Sequence, residues 1–376
     1  MAILALNVGS SSLKATLFDL KLKRLRDGEI KDLHQEVSEI EVDGVSKKCR
    51  IGNLGNAFAL LMKAMEIGEL NGIGHRFIHG GPKYAKSVLI DEKVLRDLET
   101  LKHLAPLHNP ECLAVIQASK KLFLEVPQVA VFDTAFHRTL PPHAATYGIP
   151  RHLSEKYHVE RYGFHGISHA YMASRIRKKK LITLHLGNGC SGAAILNGKS
   201  IDTSMGFSPA EGLLMGTRAG DIDFTILEYL HKVTGQSLKQ ITHMLNFESG
   251  LLGVSGKTSD VKTLLSNKDP HSRLAIDLFC HRIVKTVGAY TALLGGMDAI
   301  AFSGGIGENS AEIRDKVCSS FGYLGLRLSS QKNRATIHLS PGDKRAIHSP
   351  TSAIEIYAIG ADEDSFIAQE TLRIKR

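Results

Sequence analysis

The stretch Ala5-Leu6-Asn7-Val8-Gly9-Ser10-Ser11-Ser12-Leu13-Lys14 sets a turn of glycine and hydroxyls between two apolar runs and ends on a lysine. Apolar residues at 3–8 and 15–20 predict strand, tight turn, strand. Ser10, Ser11 and Ser12 offer hydroxyl and backbone donors, Gly9 lets the backbone come close, and Asn7 and Lys14 add an oxygen and a charge. That combination is a phosphate cradle. It returns later: Leu181–Leu186 runs into Gly187-Asn188-Gly189-Cys190-Ser191-Gly192, then a second apolar run, an Asn197-Gly198 turn and a further strand over 200–203. Two copies of a strand, phosphate turn, strand unit predict two related halves of alternating strands and helices flanking a cleft, an α/β fold.

The rest of the chain agrees with that plan. Its 376 residues suit two domains, and 43% hydrophobic with 23% charged residues is the balance of a globular protein. Pro141, Pro142, Gly148 and Pro150 mark the expected boundary, giving domains at 1–147 and 148–363. Helical periodicity appears over 58–68, 110–122 and 310–321.

The net charge of +9, with 6% aromatic residues and no tryptophan, reads as a basic surface and not as a nucleic-acid partner. Lys178, Lys179 and Lys180 read as a solvated helix end. Five scattered cysteines fit neither a disulfide framework nor zinc, and fit a reducing cytoplasm. No apolar stretch reaches the length of a membrane span, and the start lacks the basic region of a secretory leader.

Several motifs fail on context. Gly187–Gly192 spells a dinucleotide fingerprint, but a hairpin follows it where that fingerprint needs a helix. Gly198-Lys199-Ser200 and Gly256-Lys257-Thr258 lack the first glycine of a Walker loop, holding Ala193 and Leu251 there. His165 and His169 have helical spacing but no intervening Glu for a zinc site, so proton donation or hydrogen bonding to an oxyanion is read for one of them, with a packed core histidine as the alternative.

Other motifs fit. Residues 298–310 read as a buried strand, a glycine turn and an Asn/Ser cap opening a helix at Ala311, which makes an anion site with room for a nucleoside. Arg76 and Arg218 each sit among glycines, as a pair of cations on a transferring phosphoryl group would. Asp133 brings a carboxylate to the end of an apolar run.

Together these residues resemble the acetate kinase family, within the two-domain actin, sugar kinase and Hsp70 ATPase group of paired ribonuclease-H-like domains. The resemblance rests on residues 7–14, 74–76, 104–110, 132–137, 162–166 and 305–309 and spans nearly the whole chain. It implies magnesium-dependent, in-line phosphoryl transfer between ATP and acetate, with manganese as the alternative metal, in a homodimer joined through the second domain. By that resemblance Arg76, Arg218, His165 and Asp133 are catalytic, and Asn7 and Glu363 hold the metal. Ile78, Leu107, Phe164 and Pro209 line the methyl pocket. Ser10, Ser12, Lys14, His185, Leu186, Gly187, Asn188 and Gly189 meet the phosphates. Asp260, Val261 and Lys262 with Gly305, Ile306, Gly307, Glu308 and Asn309 surround the adenosine, and the final helix, 364–376, returns to the first domain. Val261 and Lys262 stand where the family has an aromatic residue and an arginine, so a point charge replaces a planar cation. A propionate or butyrate kinase, and a nucleotide-driven binding module, are the competing readings.

Overall fold

A computed structural model describes residues 1–375 except Ser10, His34 and Leu107. By packing the chain divides into two units, Met1–Phe136 with Asp362–Arg376, and His137–Ala361. The division falls earlier than the composition of the proline-rich segment suggests. Residues 137–147 join the second unit because His137 Nδ1 lies 2.8 Å from Ser200 Oγ and Thr139 Oγ1 donates to the Ser200 carbonyl.

The first unit is built on β1 (Ala2–Val8), β2 (Ser12–Phe18), β3 (Arg24–Lys31), β4 (Ser38–Val42), β5 (Val45–Cys49), β6 (Leu70–Phe77), β7 (Val88–Leu89) and β8 (Gln128–Phe132). They lie in the order β5-β4-β3-β2-β1-β6-β8-β7, with β1, β6 and β8 parallel and β1 to β5 an antiparallel meander. The near-continuous apolar runs of β1 and β8 are what strands covered on both faces require. One cover is the terminal helix Glu363–Lys375, which buries Ile367, Ala368 and Thr371 against β1, β6 and β8.

The second unit repeats the plan with β9 (Lys180–Leu186), β10 (Cys190–Leu196), β11 (Lys199–Thr203), β12 (Ala299–Ser303), β13 (Lys344–Ala346) and β14 (Glu355–Ile359). Their order, β11-β10-β9-β12-β14-β13, matches β3-β2-β1-β6-β8-β7 strand for strand, including which pairs are parallel. The repeat read from the two glycine turns is therefore a repeat of the whole sheet, and the chain has the α/β fold expected. The counterpart of the terminal helix is Pro270–Leu294, which packs on β9 and β10.

Local readings hold with small shifts. The Asn197-Gly198 turn has positive φ at both positions, 52° and 79°, as a type I′ hairpin requires. Lys178 pairs with Glu355, and the Lys180 ammonium donates to the Gly295 carbonyl, so these two lysines are tied down where a solvated helix end was expected. One expectation changes. Gly304–Asn309 is itself a helical turn, directly after β12, and Ser310 caps a second helix from Ala311. Glycine disfavours that turn, but the Glu308 carboxylate accepts from the Gly304 backbone N–H at 2.9 Å and holds it.

Candidate active site

In the first unit, Asn7, Arg76 and Asp133 stand at the C-terminal ends of the three parallel strands β1, β6 and β8, where an open α/β sheet binds its ligands. Parallel register sets Leu6 opposite His75 and Phe77 opposite Phe132, so these ends meet. Arg76 donates through Nε and Nη2 to Asp133 Oδ2, at 3.1 and 2.5 Å, and through Nη1 to Asn7 Oδ1 at 3.0 Å. Glu363, first residue of the terminal helix, lies 3.8 Å from the same Nη1.

Burial works against the Arg76 charge, but Asp133 and Glu363 more than offset it and keep its pKa above the ordinary arginine value. Burial raises the Glu363 pKa, against the pull of Arg76. Asp133 Oδ1 is buried and has no hydrogen-bond partner among the described residues. An orphaned carboxylate oxygen beside an amide oxygen and a second carboxylate is a hard-oxygen donor set, which suits a divalent cation such as magnesium. Lys14 lies 3.7 Å from Glu29 on the neighbouring strand, and half its side chain is exposed. Ser10 and Leu107 lie outside the described residues.

The second unit holds a cation of the opposite character. Arg218 is half-buried and donates to the Pro209 carbonyl at 3.2 Å, and no carboxylate pairs with it among the described residues. Burial lowers its pKa from the ordinary value. The loop that carries it is tied to the glycine turn, since the Gly216 N–H donates to the Asn188 carbonyl at 2.9 Å. A Cβ at 216 would come within 2.1 Å of Asn188 Oδ1, so a larger residue there would have to displace the Asn188 side chain. Gly189 lies between two functional groups: a Cβ there would sit 3.2 Å from His165 and 3.7 Å from the Arg218 guanidinium.

His165 precedes the helix Gly166–Ile176 in the left-handed region, φ 54°. Its Nδ1 is 2.9 Å from Ser191 Oγ, and its ring centroid is 4.3 Å from that of His185. His169, one turn on, is fully buried against Thr183 and Ser191, the core histidine of the pair. Phe164 is buried beside His165, and Ile78 is buried in the first unit.

A cavity of about 900 Å³ in the second unit is lined by Gly187, Asn188, Asp260, Val261, Lys262, Gly305, Ile306 and Asn309, all expected at the nucleotide. Its size suits a nucleoside. Asp260 caps the helix Val261–Ser266, accepting from the Thr263 backbone N–H and hydroxyl. Ser12, Lys14, His185, Leu186, Gly189, Gly307 and Glu308 were expected at the nucleotide and are not among the residues lining this cavity. Leu186 is buried core, Gly307 gives its carbonyl to Arg314, and the Glu308 carboxylate accepts from the Gly304 and Ala361 N–H groups.

The cavity also has walls that sequence reading missed, among them Ser259, Leu265, Ile337 and His338. Their place follows from Arg314. This fully buried guanidinium donates to the carbonyls of Gly307, Glu308, Asn333 and Thr336 and to Asn333 Oδ1, at 2.7 to 2.9 Å, and so ties two walls together. The His338 N–H completes the tie by donating to Asn309 Oδ1.

A model of the Acetokinase family matches residues 2–369. The acetate kinase of Clostridium novyi is 42% identical over 399 positions, covering 100% of this chain and 98% of that one. The acetate kinase of Bacillus anthracis is 41% identical, covering 99% and 98%. Among solved structures, Porphyromonas gingivalis acetate kinase superposes with a TM-score of 0.92 at 37% identity over the full length of both chains. A propionate kinase from Francisella tularensis gives 0.91 at 39% identity over 99% of each. The two strand-plan units, the arginine in each and the nucleotide-sized cavity thus come with full-length similarity to acetate kinases, and the chain belongs to the acetokinase family.

Proposed function

We infer that this chain is an acetate kinase, transferring the terminal phosphoryl group of ATP to acetate to give acetyl phosphate and ADP, reversibly and with a divalent metal. The observation that carries the inference is the contrast in Arg218: a half-buried guanidinium that no carboxylate pairs among the described residues, tied to a glycine turn, in a member of this family. Acetate is ionised at neutral pH, so the reaction needs no strong base. It needs two anions brought together and the charge on the equatorial oxygens stabilised.

Arg218 and Arg76 supply positive charge to the carboxylate and the phosphoryl group, and His165 donates an N–H to a phosphoryl oxygen. Asp133 orients Arg76 through Oδ2 and has Oδ1 left for metal or water. Asn7, Glu363 and Asp133 would hold magnesium, with manganese as an alternative, and the bound ion would neutralise phosphate charge. His185 and the turn at 187–189 would face the phosphates with Ser12 and Lys14, and the 900 Å³ cavity would take the adenosine.

The similarity to a propionate kinase makes acid length the closest alternative. Ile78, Phe164, Leu107 and Pro209 are the proposed methyl pocket, and a buried, branched Ile78 favours the shorter acid. A homodimer through the second unit is supported by adjacent helices, Thr225–Thr234 and Leu238–Phe247, which leave Phe224, Tyr229, Val233 and Leu238 exposed. All five cysteines are thiols, in keeping with a reducing cytoplasm. Among the described residues no helix is long and apolar enough to cross a membrane.

The test is acetyl phosphate formation from ATP and magnesium, trapped with hydroxylamine, for acetate, propionate and butyrate side by side. Hydroxamate that depends on the acid and is greatest with acetate is expected. ATP turnover indifferent to any acid would reject the assignment in favour of a nucleotide-driven binding module.

A further inference from the structure

Behind His165 the second unit buries a chain of polar groups that phosphate binding does not use. His165 Nδ1 is 2.9 Å from Ser191 Oγ; Ser191 Oγ is 2.8 Å from His169 Nε2; His169 Nδ1 is 2.8 Å from Thr183 Oγ1. Ser191, His169 and Thr183 are each fully buried. They come from three elements packed together: Thr183 from β9, Ser191 from β10 opposite His185, and His169 from the first turn of Gly166–Ile176.

We propose that Thr183, His169 and Ser191 form a hydrogen-bond relay of fixed direction that holds His165 with its proton on Nε2, making Thr183 a positioning residue for phosphoryl transfer. The argument is a count of protons. A hydroxyl has one proton to give, and a neutral imidazole has one donor and one acceptor nitrogen. Thr183 Oγ1 has one hydrogen-bond partner, His169 Nδ1, among the described residues, so a buried Thr183 proton has one acceptor and must go there. His169 then carries its proton on Nε2 and donates to Ser191, and Ser191 donates to His165 Nδ1. His165 is left with Nε2–H.

The opposite direction would start at His165 Nδ1–H and end with the Thr183 proton buried without an acceptor. Burial also holds His169 far below the ordinary histidine pKa, with His137 and His185 opposing its charge further, so His169 stays neutral and able to accept. The groups around His165 act the same way. The His185 ring lies at 4.3 Å, the Arg218 guanidinium stands across Gly189, and His137 lies 5.5 Å from His169. An imidazolium at 165 would have to turn Ser191 around and break the relay. The relay therefore keeps His165 a neutral donor.

The kinetic part of this inference rests on the role given to His165 above; the tautomer part does not. Histidine-selective 15N labelling of the wild-type chain, with His165→Gln and His169→Gln spectra for assignment, reads the tautomers directly. Both rings are expected as Nε2–H, and His165 found as Nδ1–H would overturn the relay whether or not the chain phosphorylates acetate.

Thr183→Val keeps the side-chain shape and removes the donor. It is expected to lower kcat about tenfold, leave KM for ATP and acetate unchanged, and move the acid limb of the kcat profile to higher pH as His165 protonates more easily. Thr183→Ser is expected to restore all three. Thr183→Val that matches wild type in kcat, pH profile and His165 tautomer would also overturn the proposal. Were that variant unable to fold, the wild-type spectrum would still decide.

Discussion

The two units share one sheet plan and treat their arginines in opposite ways. Arg76 is enclosed by acids and an amide, Asp133, Glu363 and Asn7. Arg218 is bonded to a carbonyl, and among the described residues no carboxylate pairs with its charge. The first arrangement is neutralised in advance, which in the function proposed above fixes geometry and metal oxygens. The second would keep positive charge for an incoming anion. The same sheet plan thus carries one arginine at a strand end and another in a loop tied to a glycine turn, and their neighbours set the difference between them.

That contrast predicts different costs of truncation. Arg76→Ala leaves Asp133 and Glu363 buried without their cation and should cost about 3–5 kcal/mol of stability. Arg218→Ala leaves no buried acid behind and should cost little. Denaturant unfolding of both variants checks this, and equal losses would break the comparison.

Acid should strain the units unequally. Burial pulls His75 in the first unit, and His137 in the second, down to about 4, and lowers His169 of the second unit as well. These rings are neutral when folded and free to charge when unfolded, so their contribution is present above pH 6.5 and is lost as pH falls toward 4. Each of His75 and His137 should cost about 3 kcal/mol over that window. Unfolding at pH 7 and pH 5 is expected to show the fall, with His75→Gln flattening part of it. A stability independent of pH there would contradict the neutral assignment.

Smaller effects sharpen the roles. Ile78→Ala should shift the propionate-to-acetate ratio of kcat/KM upward, by about 1–3 kcal/mol at most per methylene, and an unchanged ratio would remove Ile78 from the pocket. Arg314→Met should raise KM for ATP about tenfold while KM for acetate holds, because it releases Gly307 and Glu308 from Thr336 and Asn333. Equal changes in both constants would make Arg314 a general stabiliser.

What the sequence made legible was local. The glycine turns sit between apolar runs, and Arg76, Arg218 and Asp133 stand out by their neighbours. The pairing of Arg76 with Asp133 was not legible, since it depends on the parallel register of β6 and β8, set by packing across the chain. Ile337 and His338 have no local signal and reach the cavity through Arg314, whose buried guanidinium nothing in its own helix announces. The helical turn Gly304–Asn309 contradicts glycine propensity and exists because Glu308 closes it. His169 could be told from His165 only by the hydroxyls that enclose it.

The most direct test of the account is hydroxamate formation by Arg218→Ala at saturating ATP, magnesium and acetate. A loss of about 10³ to 10⁵ in acetate-dependent turnover, with ATP binding and the unfolding midpoint retained, is the predicted result. Turnover close to wild type would contradict it, because a half-buried cation that no carboxylate pairs among the described residues would then have no anion to meet.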